Sequence, residues 1–527
     1  MVQPLELDAA QRRVVDHGAG PLRVLAGPGT GKTTTLVEAV AARIGAGADP
    51  EAILVLTFSR RAAAELRVRI AARVGTTIRE PLARTFHSYA FGLLHRAAAQ
   101  RGDPPPRLLS GPEQDAVIRE LLGGQTERMG SVVWPERLAV AVTTRGFAAE
   151  LRDLMLRAYE RGIPPRQLDD WGRQRGRDDW RTAARFMQEY ADVTALAASH
   201  SVAMDPAELI RAAIDLLRTD PATLAAEHAR LTSVYVDEYQ DSDPAQVELL
   251  ALLAGDGRDL VVVGDPDQSI YAFRGASQHA ILDFPERFRQ ADGVPAPTVA
   301  LTTCRRSGAT LLSASRRVIE HVSGPRRHDH RHLVAAGEEA GSVAVHVLTS
   351  ASQEAAFIAH RLREAHLREG VPWSQMAVLV RSTSRQLAVL RRAFVSAGVP
   401  VAVAGDELPL AEQPSAAAFL DVLNAAIAPE GGDCADWPGG FDEALAVALL
   451  VSPLGGADAL TLRRLRQQLR RAAAAAGEHL PSGTLIVHAL REPGDLMAVD
   501  DRVAAPARRV AGLLATARTV AAEPGST

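Results

Sequence analysis

The stretch VLAGPGTGKTTTLVEA, residues 24–39, admits few folds. An apolar run, PLRVLAG, enters a glycine-rich turn, and a helix-periodic run, TTTLVEAVAARI, leaves it. That order predicts a phosphate-binding loop, in which backbone N–H groups close on an anion and the helix N-terminus points at it. Ala26 stands in the first, usually glycine, position, followed by Gly27, Pro28, Gly29, Thr30, Gly31, Lys32, Thr33 and Thr34. Lys32 is the only lysine among 527 residues, and all other basic side chains except histidine are arginine. An ammonium is a compact charge on a flexible stem, whereas a guanidinium is a broad planar fork. A loop wrapped around a triphosphate has room for the first and not the second. Lys32 is therefore expected on the β/γ oxygens and Thr33 on Mg²⁺. An ordinary glycine-rich turn is the alternative, and the coincidence of strand, loop, helix and lone lysine weighs against it.

The remaining pattern predicts an α/β chain. Short apolar runs (LRVLAG, AILVLTFS, SVYVDEYQ, DLVVVGDPDQ, VAVHVLTS, MAVLVRS and PVAVAGD) alternate with Ala/Leu/Arg-rich helical stretches. Continuous apolar strands with helices between them indicate parallel sheets covered on both faces. From 98 to 205 the alternation stops and a helical insertion is expected. Strands resume at 231 and again over 342–406, and after Glu412 the pattern is helical to the end. The length suits about three or four domains. Two cysteines, Cys304 and Cys434, are too few for a disulfide framework or a metal cluster. They fit packing roles in a reducing cytoplasm. No apolar run is long enough to span a bilayer, and MVQPLELDAAQRR lacks the apolar core of a signal peptide, so no membrane partner is expected. A net charge of −4 neither requires nor forbids a nucleic acid, because a basic groove can sit on an acidic protein. The arginine-for-lysine bias reads as coding composition.

Two further segments carry chemistry. VYVDEYQD, residues 234–241, ends an apolar strand in adjacent carboxylates. Asp237 suits a Mg²⁺ and Glu238 suits polarising an attacking water; an acidic strand-end turn is the plainer reading. VVVGDPDQSIYAFRGA, residues 261–276, delivers Gly264, Asp265 and Gln268 to the carboxyl edge of the sheet, where open α/β sheets bind ligands. Gln268 could contact the γ-phosphate and report its loss. Tyr271, Phe273 and Arg274 then put two rings and a cation on one segment. Such a triplet either packs a core or stacks bases of a single strand without regard to sequence.

LDAAQRRVV, AGPGTGKTTTL, TFSRRAAAELRVRI, TFHSYAFGLL, VDEYQDSDPAQ and GDPDQSIYAFRGA follow one another here. Their order resembles that of superfamily 1 helicases of the UvrD/Rep/PcrA type. The variants DEYQD and TTCRRSG look most similar to helicase–nuclease subunits of the AdnAB type, relatives of RecB. The resemblance runs from residue 7 to about 425. It implies RecA-like folding in five segments: domain 1A over 1–97 and 206–300, helical subdomain 1B over 98–205, domain 2A over 301–410 and helical subdomain 2B over 411–527. It implies an ATP-dependent 3′–5′ DNA helicase of repair and recombination, using ATP and Mg²⁺. Single-stranded DNA, 3′-tailed or blunt duplex and a second helicase–nuclease subunit are the implied partners.

By the same resemblance Gln11 reads adenine, and Arg306 is an arginine finger on the transferring phosphoryl group. Thr57, Phe58, Thr85, Phe86 and His87 touch DNA and couple it to ATP. Phe273 stacks a base, and Arg381 and Thr383 face DNA from domain 2A. Relatives carry Tyr before the finger; here it is Arg305, whose planar guanidinium could stack on the base instead. Motifs near VHGAKGLEF and LLYVALTRA, and a nuclease domain, are not found, so the chain is expected to be either the front portion of a longer protein or the product of a truncated gene, and to hydrolyse ATP poorly or not at all alone. A non-catalytic ATP- and DNA-binding subunit is the competing reading. A GTP switch would need an Asn-Lys-x-Asp reader, which a chain with one lysine lacks, and DEYQD points away from an AAA+ ATPase. GPRRHDHRH, residues 324–332, reads as a solvated basic loop rather than a metal site. The arginine-faced helix at 460–479 reads equally as a duplex contact or as a solvent-facing surface.

Overall fold

The computed structural model describes residues 6–75, 82–126, 132–196, 203–270, 278–321, 329–402, 414–427, 441–478 and 480–522. The chain divides into two compact units, Met1–Ala344 and Val345–Thr527.

In the first unit the expected apolar runs form β1 (Pro21–Ala26), β2 (Ile53–Thr57), β3 (Ala83–Thr85), β6 (Ser233–Val236), β7 (Leu260–Gly264) and β8 (Thr298–Leu301). They make one sheet in the order β3-β2-β6-β7-β1-β8, parallel throughout. Two short ladders lie outside it: β4 (Arg107–Leu108) with β5 (Ala203–Met204), and β9 (Thr303–Cys304) with β10 (Val334–Ala335). Successive side chains on a strand point to opposite faces. Leu25, Leu54, Leu56, Val234, Val236 and Val262 enter one core with the helices Phe86–Arg101, Pro206–Thr219 and Pro244–Ala254. Val24, Val55, Tyr235, Val261 and Val263 enter another with Val14, Leu36, Val40, Leu66 and Ile70. Because both faces are covered, the strands read as continuous apolar runs instead of alternating ones. Between β4 and β5 the chain is helical, as expected, around Ile118, Leu151, Met155, Phe186, Met187 and Tyr190.

The helix Arg145–Glu160 of this insertion packs on Pro206–Thr219 and Pro244–Ala254. Burial, then the charge of Asp243, pushes Glu160 up to about 7, against the pull of Arg157. Burial pushes Asp243 up to about 6. Both carboxyls hold protons in the folded chain at pH values where the unfolded chain has lost them. Stability is therefore lost as pH rises through the interval between the unfolded and folded values. We expect the melting temperature to fall from about pH 5 to about pH 8, and Glu160→Gln to remove on the order of 1–3 kcal/mol of that dependence. A thermal-shift series that rises over the same interval contradicts this.

The second unit is helical. Ala351–Arg368 pairs with Thr383–Ala397 around Ala355, Ala359, Leu390 and Phe394. A separate bundle, Pro414–Ile427, Glu443–Val451, Ala459–Ala475, Ser482–Arg491 and Asp501–Ala521, buries Leu449, Leu469, Ile486 and Leu514. The arginine-faced helix Ala459–Ala475 turns Leu465 and Leu469 inward, and Arg466 pairs with Glu443 at 2.6 Å. The strands expected at VAVHVLTS and MAVLVRS are not formed. Val345, Val347 and Leu379 are 86, 93 and 94 % exposed. A parallel strand needs neighbours to take its backbone hydrogen bonds, and these segments meet none among the described residues. Of PVAVAGD, residues 400–402 are not strand and the rest lie outside the described residues. No described helix is long and apolar enough to cross a membrane.

Candidate nucleotide-binding site

The carboxyl ends of β1, β6 and β7 lie side by side and carry the three motifs. Ala26 closes β1 fully buried, and the helix Lys32–Gly45 starts behind Gly31. Gly31 has φ +87°, and a Cβ there would stand 2.9 Å from Gln11 Nε2, so the turn accepts only glycine without strain. Thr30 is buried and donates its hydroxyl to the Gly27 carbonyl at 2.8 Å, which ties the loop across its own base. Thr34 accepts from Arg69 at 2.8 Å. Pro28 is exposed at the loop tip.

Lys32 Nζ reaches Glu238 Oε2 at 3.2 Å, and Thr33 Oγ1 lies 3.5 Å from Asp237 Oδ2. The two motifs, more than two hundred residues apart, thus meet as basic-plus-hydroxyl against two carboxylates. Glu238 has φ +53°, a left-handed backbone at a non-glycine residue. Burial, then the charge of Glu238, pushes Asp237 up to about 7, with Lys32 and the Thr33 hydroxyl pulling the other way. The pocket holds more negative charge than one ammonium balances. From Glu238 a hydrogen-bond chain runs on: Gln240 Nε2 donates to Glu238 at 2.7 Å, and Gln240 Oε1 accepts from the Asp265 N–H at 3.0 Å. Gln268 Nε2 then donates to Asp265 Oδ2 at 2.7 Å. Gln268 therefore connects to Lys32 through three side chains.

The turn after β9 closes on the loop. The Arg305 N–H donates to the Gly29 carbonyl at 2.8 Å, and the Cys304 thiol to the Pro28 carbonyl at 3.3 Å. Cys304 thus packs as expected, and its thiol has a partner as well. Arg306 is exposed, with its Cβ 2.7 Å from where a Cβ of Gly29 would stand. The Arg305 guanidinium pairs with Asp8 at 3.0 Å. Asp8 caps the helix Ala9–Val15 in a box with Gln11, whose Nε2 lies 3.3 Å from the Thr30 carbonyl. Gln11 and Arg305 therefore sit on one side of the loop, with Gln11 buried and Arg305 at the surface.

The remaining expected residues distribute less evenly. Thr57 and Thr85 are register partners at the ends of β2 and β3. Thr57 is 1 % exposed with no hydroxyl partner among the described residues, Thr85 caps the helix Phe86–Arg101 through Ser88, and Phe86 is buried in the core. Phe58 and His87 are partly exposed, and burial, then Arg60, pushes His87 down. Arg381 and Thr383 belong to the second unit, Arg381 exposed and Thr383 opening its helix. Tyr271, Phe273 and Arg274 lie outside the described residues, as does Cys434.

One reading is corrected. Within GPRRHDHRH, His330 is 2 % exposed and lies 3.2 Å from Asp267, and Arg331 Nε donates to Asp267 at 2.7 Å. In the described part of that stretch, His330 and Arg331 are held in an ion-pair cluster because a carboxylate 64 positions upstream of Arg331 awaits them, while His332 is exposed. Sequence reasoning also missed Asp8, Gln240, His330 and Arg331. Gln240 carried a signal, two places after Glu238 in DEYQD, and so did Asp8, three places before Gln11 in the spacing of a capping box.

Residues 7–289 match the family described as the UvrD/REP helicase N-terminal domain. The chain is 28% identical over 403 residues to the ATP-dependent DNA helicase PcrA of Staphylococcus epidermidis, covering 76% of this chain and 51% of that protein. It is 29% identical over 401 residues to DNA helicase II of Escherichia coli, covering 76% and 51%. It is 30% identical over 466 residues to the ATP-dependent DNA helicase UvrD2 of Mycobacterium bovis, covering 81% and 61%. The chain thus spans about half the length of PcrA and DNA helicase II and somewhat more of UvrD2.

Proposed function

This chain belongs to the UvrD/REP helicase family, and from that premise we propose that it is the nucleotide-driven part of an ATP-dependent DNA helicase. In this reading it moves 3′ to 5′ on single-stranded DNA and acts in DNA repair and recombination. The observation that carries the proposal is the facing of Lys32 and Thr33 against Glu238 and Asp237 at the sheet's carboxyl edge. The donor set fits Mg²⁺ with ATP: the Thr33 hydroxyl and the Asp237 carboxylate, 3.5 Å apart, are hard oxygen ligands. Bound MgATP would supply the phosphoryl group and its charge. Lys32 would hold the β/γ oxygens, Thr33 and Asp237 the cation, and Glu238 would take a proton from the attacking water. Gln268 would sense the γ-phosphate, and Arg306 would answer the charge that develops there. Gln11 and Arg305 would border the base.

The finer proposals rest on family likeness. They are the five-segment 1A/1B/2A/2B division and strand contacts by Thr57, Phe58, Thr85, Phe86, His87, Tyr271, Phe273, Arg274, Arg381 and Thr383. A cytoplasmic site of action, 3′-tailed or blunt duplex as substrate and a second helicase–nuclease subunit complete them; DEYQD and TTCRRSG support that last kinship. The test is ATP-dependent strand displacement on 3′-tailed and 5′-tailed duplexes by whatever longer or partnered form is competent, with single-strand affinity measured with and without nucleotide. Displacement of the 3′-tailed duplex alone is expected. Nucleotide-dependent binding without displacement makes the chain a non-catalytic subunit, and hydrolysis indifferent to single-stranded DNA overturns the motor reading.

A further inference from the structure

The segment His330–Ala335 touches three parts of the site at once. At its far end β10 pairs with β9, Val334 opposite Thr303 and Ala335 opposite Cys304. The Ala336 N–H donates to the Cys304 carbonyl at 2.9 Å, one residue before Arg305. In its middle, Leu333 Cδ atoms and the His330 carbonyl lie 2.9 and 3.2 Å from where a Cβ of Gly27 would stand, so the segment presses on the start of the phosphate loop. At its near end, Arg331 grips both oxygens of Asp267, through Nε at 2.7 Å and through NH2. His330 Nε2 lies 3.2 Å from Asp267 and 3.6 Å from Asp265. Asp267 belongs to the turn Pro266–Gln268, its N–H donating to Asp265 Oδ1 at 3.0 Å while Gln268 donates to the other oxygen of Asp265.

The donor atoms of Asp265, Asp267 and His330 lie within 4.8 Å of one another, the spacing of a metal site. A guanidinium already occupies both Asp267 oxygens, however, and a cation there would face its charge. The cluster is an ion-pair lock. Arg331 and Asp267 are only 12 and 10 % exposed, so solvent screens the pair little. Against the upward push of burial, His330 and Arg331 hold the Asp267 carboxyl down at about 2.

We propose that Asp267 and Arg331 are positioning residues: their lock makes the turn carrying Gln268 and the turn carrying Arg305 and Arg306 move as one piece. A sensor on β7 and a finger beyond β9 have no strand in common, since β9 and β10 stand outside the main sheet. Without a lock, the finger turn is held to the phosphate loop by the Arg305–Gly29 and Cys304–Pro28 hydrogen bonds, which reach Gln268 only by the longer chain through Lys32, Glu238, Gln240 and Asp265. With it, displacement of Gln268 by a γ-phosphate is transmitted through Asp267 and Arg331 to β10 and across the ladder to the finger. Arg is required for its fork, because a lysine cannot bridge both oxygens.

This proposal rests on the motor reading above, so its test has one readout independent of hydrolysis. Asp267→Asn and Arg331→Leu are compared with Arg331→Lys and with the double variant Asp267→Asn/Arg331→Leu. In DNA-stimulated hydrolysis each single variant lowers kcat roughly ten- to a hundredfold with little change in KM for ATP, as misplacement of reacting groups does. The double variant is no worse than either single, and Arg331→Lys recovers part of the loss. Equal falls in all assays with raised KM, or additive losses, overturn the proposal. Amide hydrogen exchange of the unliganded protein is the second readout. Arg331→Leu speeds exchange at Gln268 and at Arg305–Ser307 together; acceleration confined to 329–333 overturns it. Hydrolysis is measured in whatever longer or partnered form is competent; if no such form shows DNA-stimulated hydrolysis, the motor reading falls instead and the exchange result decides the lock.

Discussion

Lys32→Ala leaves a folded protein whose DNA-stimulated ATP hydrolysis has fallen at least about a hundredfold, in whatever longer or partnered form is competent. The ammonium is the positive charge placed inside the loop, 3.2 Å from Glu238 and mostly covered. Removing it leaves the β/γ oxygens and two carboxylates without a counter-charge, so MgATP affinity falls too. Folding is spared, because Glu238 is 34 % exposed at its side chain and can turn to water. Lys32→Arg is the sharper variant. The guanidinium keeps the charge but not the compact shape that lets an ammonium sit inside the loop. It therefore restores no more than a small part of the activity. Hydrolysis and unwinding near the parent rate in Lys32→Ala would end the account of this site, and full rescue by arginine would end the explanation of why one lysine persists.

Glu238→Gln separates binding from turnover. The amide keeps the size of the side chain and its contact with Gln240 at 2.7 Å, but gives up the charge and the proton-accepting oxygen. Hydrolysis is expected to drop roughly 10²–10³-fold while nucleotide affinity holds or tightens. The backbone adds a second, opposite effect. With φ at +53°, Glu238 stores about 1 kcal/mol or more of strain that glycine would relieve. Glu238→Gly should therefore show lost hydrolysis together with a melting temperature no lower than the parent's. Calorimetric unfolding beside single-turnover hydrolysis checks the pair. A glycine variant that is both inactive and markedly less stable shows the strained backbone to be supported by its side chain.

The nucleotide cleft was largely legible because its parts are local. A strand, a glycine turn and a helix in sequence fix Lys32 and Thr33, and a buried strand ending in Asp237-Glu238 fixes its partner edge. Legibility ended where a residue's role depends on a distant neighbour. Arg331 looked like one charge in a basic run, since nothing near it in sequence names Asp267. The spacing of Asp8 and Gln11 is that of a capping box, but nothing near Asp8 in sequence names Arg305 as its partner. Thr85 and Phe86 stand within a motif whose function points outward, yet one caps a helix and the other fills the core. VAVHVLTS and MAVLVRS failed for the opposite reason. Their β-branched residues do favour extended backbone, but apolar pattern specifies a strand only where a neighbour exists to pair with.

The sheet order also dictates when the molecule can come together. Pro21 pairs with Leu260 and Arg23 with Thr298, so β1 obtains both neighbours only after most of the first unit has been synthesised. Until then a mostly apolar strand and its loop wait on the ribosome without either sheet neighbour, and pairing must close one of the longest loops in the chain. Assembly of this protein should consequently be slow, late and dependent on holdase chaperones, and a polypeptide released before β7 should aggregate instead of forming a smaller working fragment.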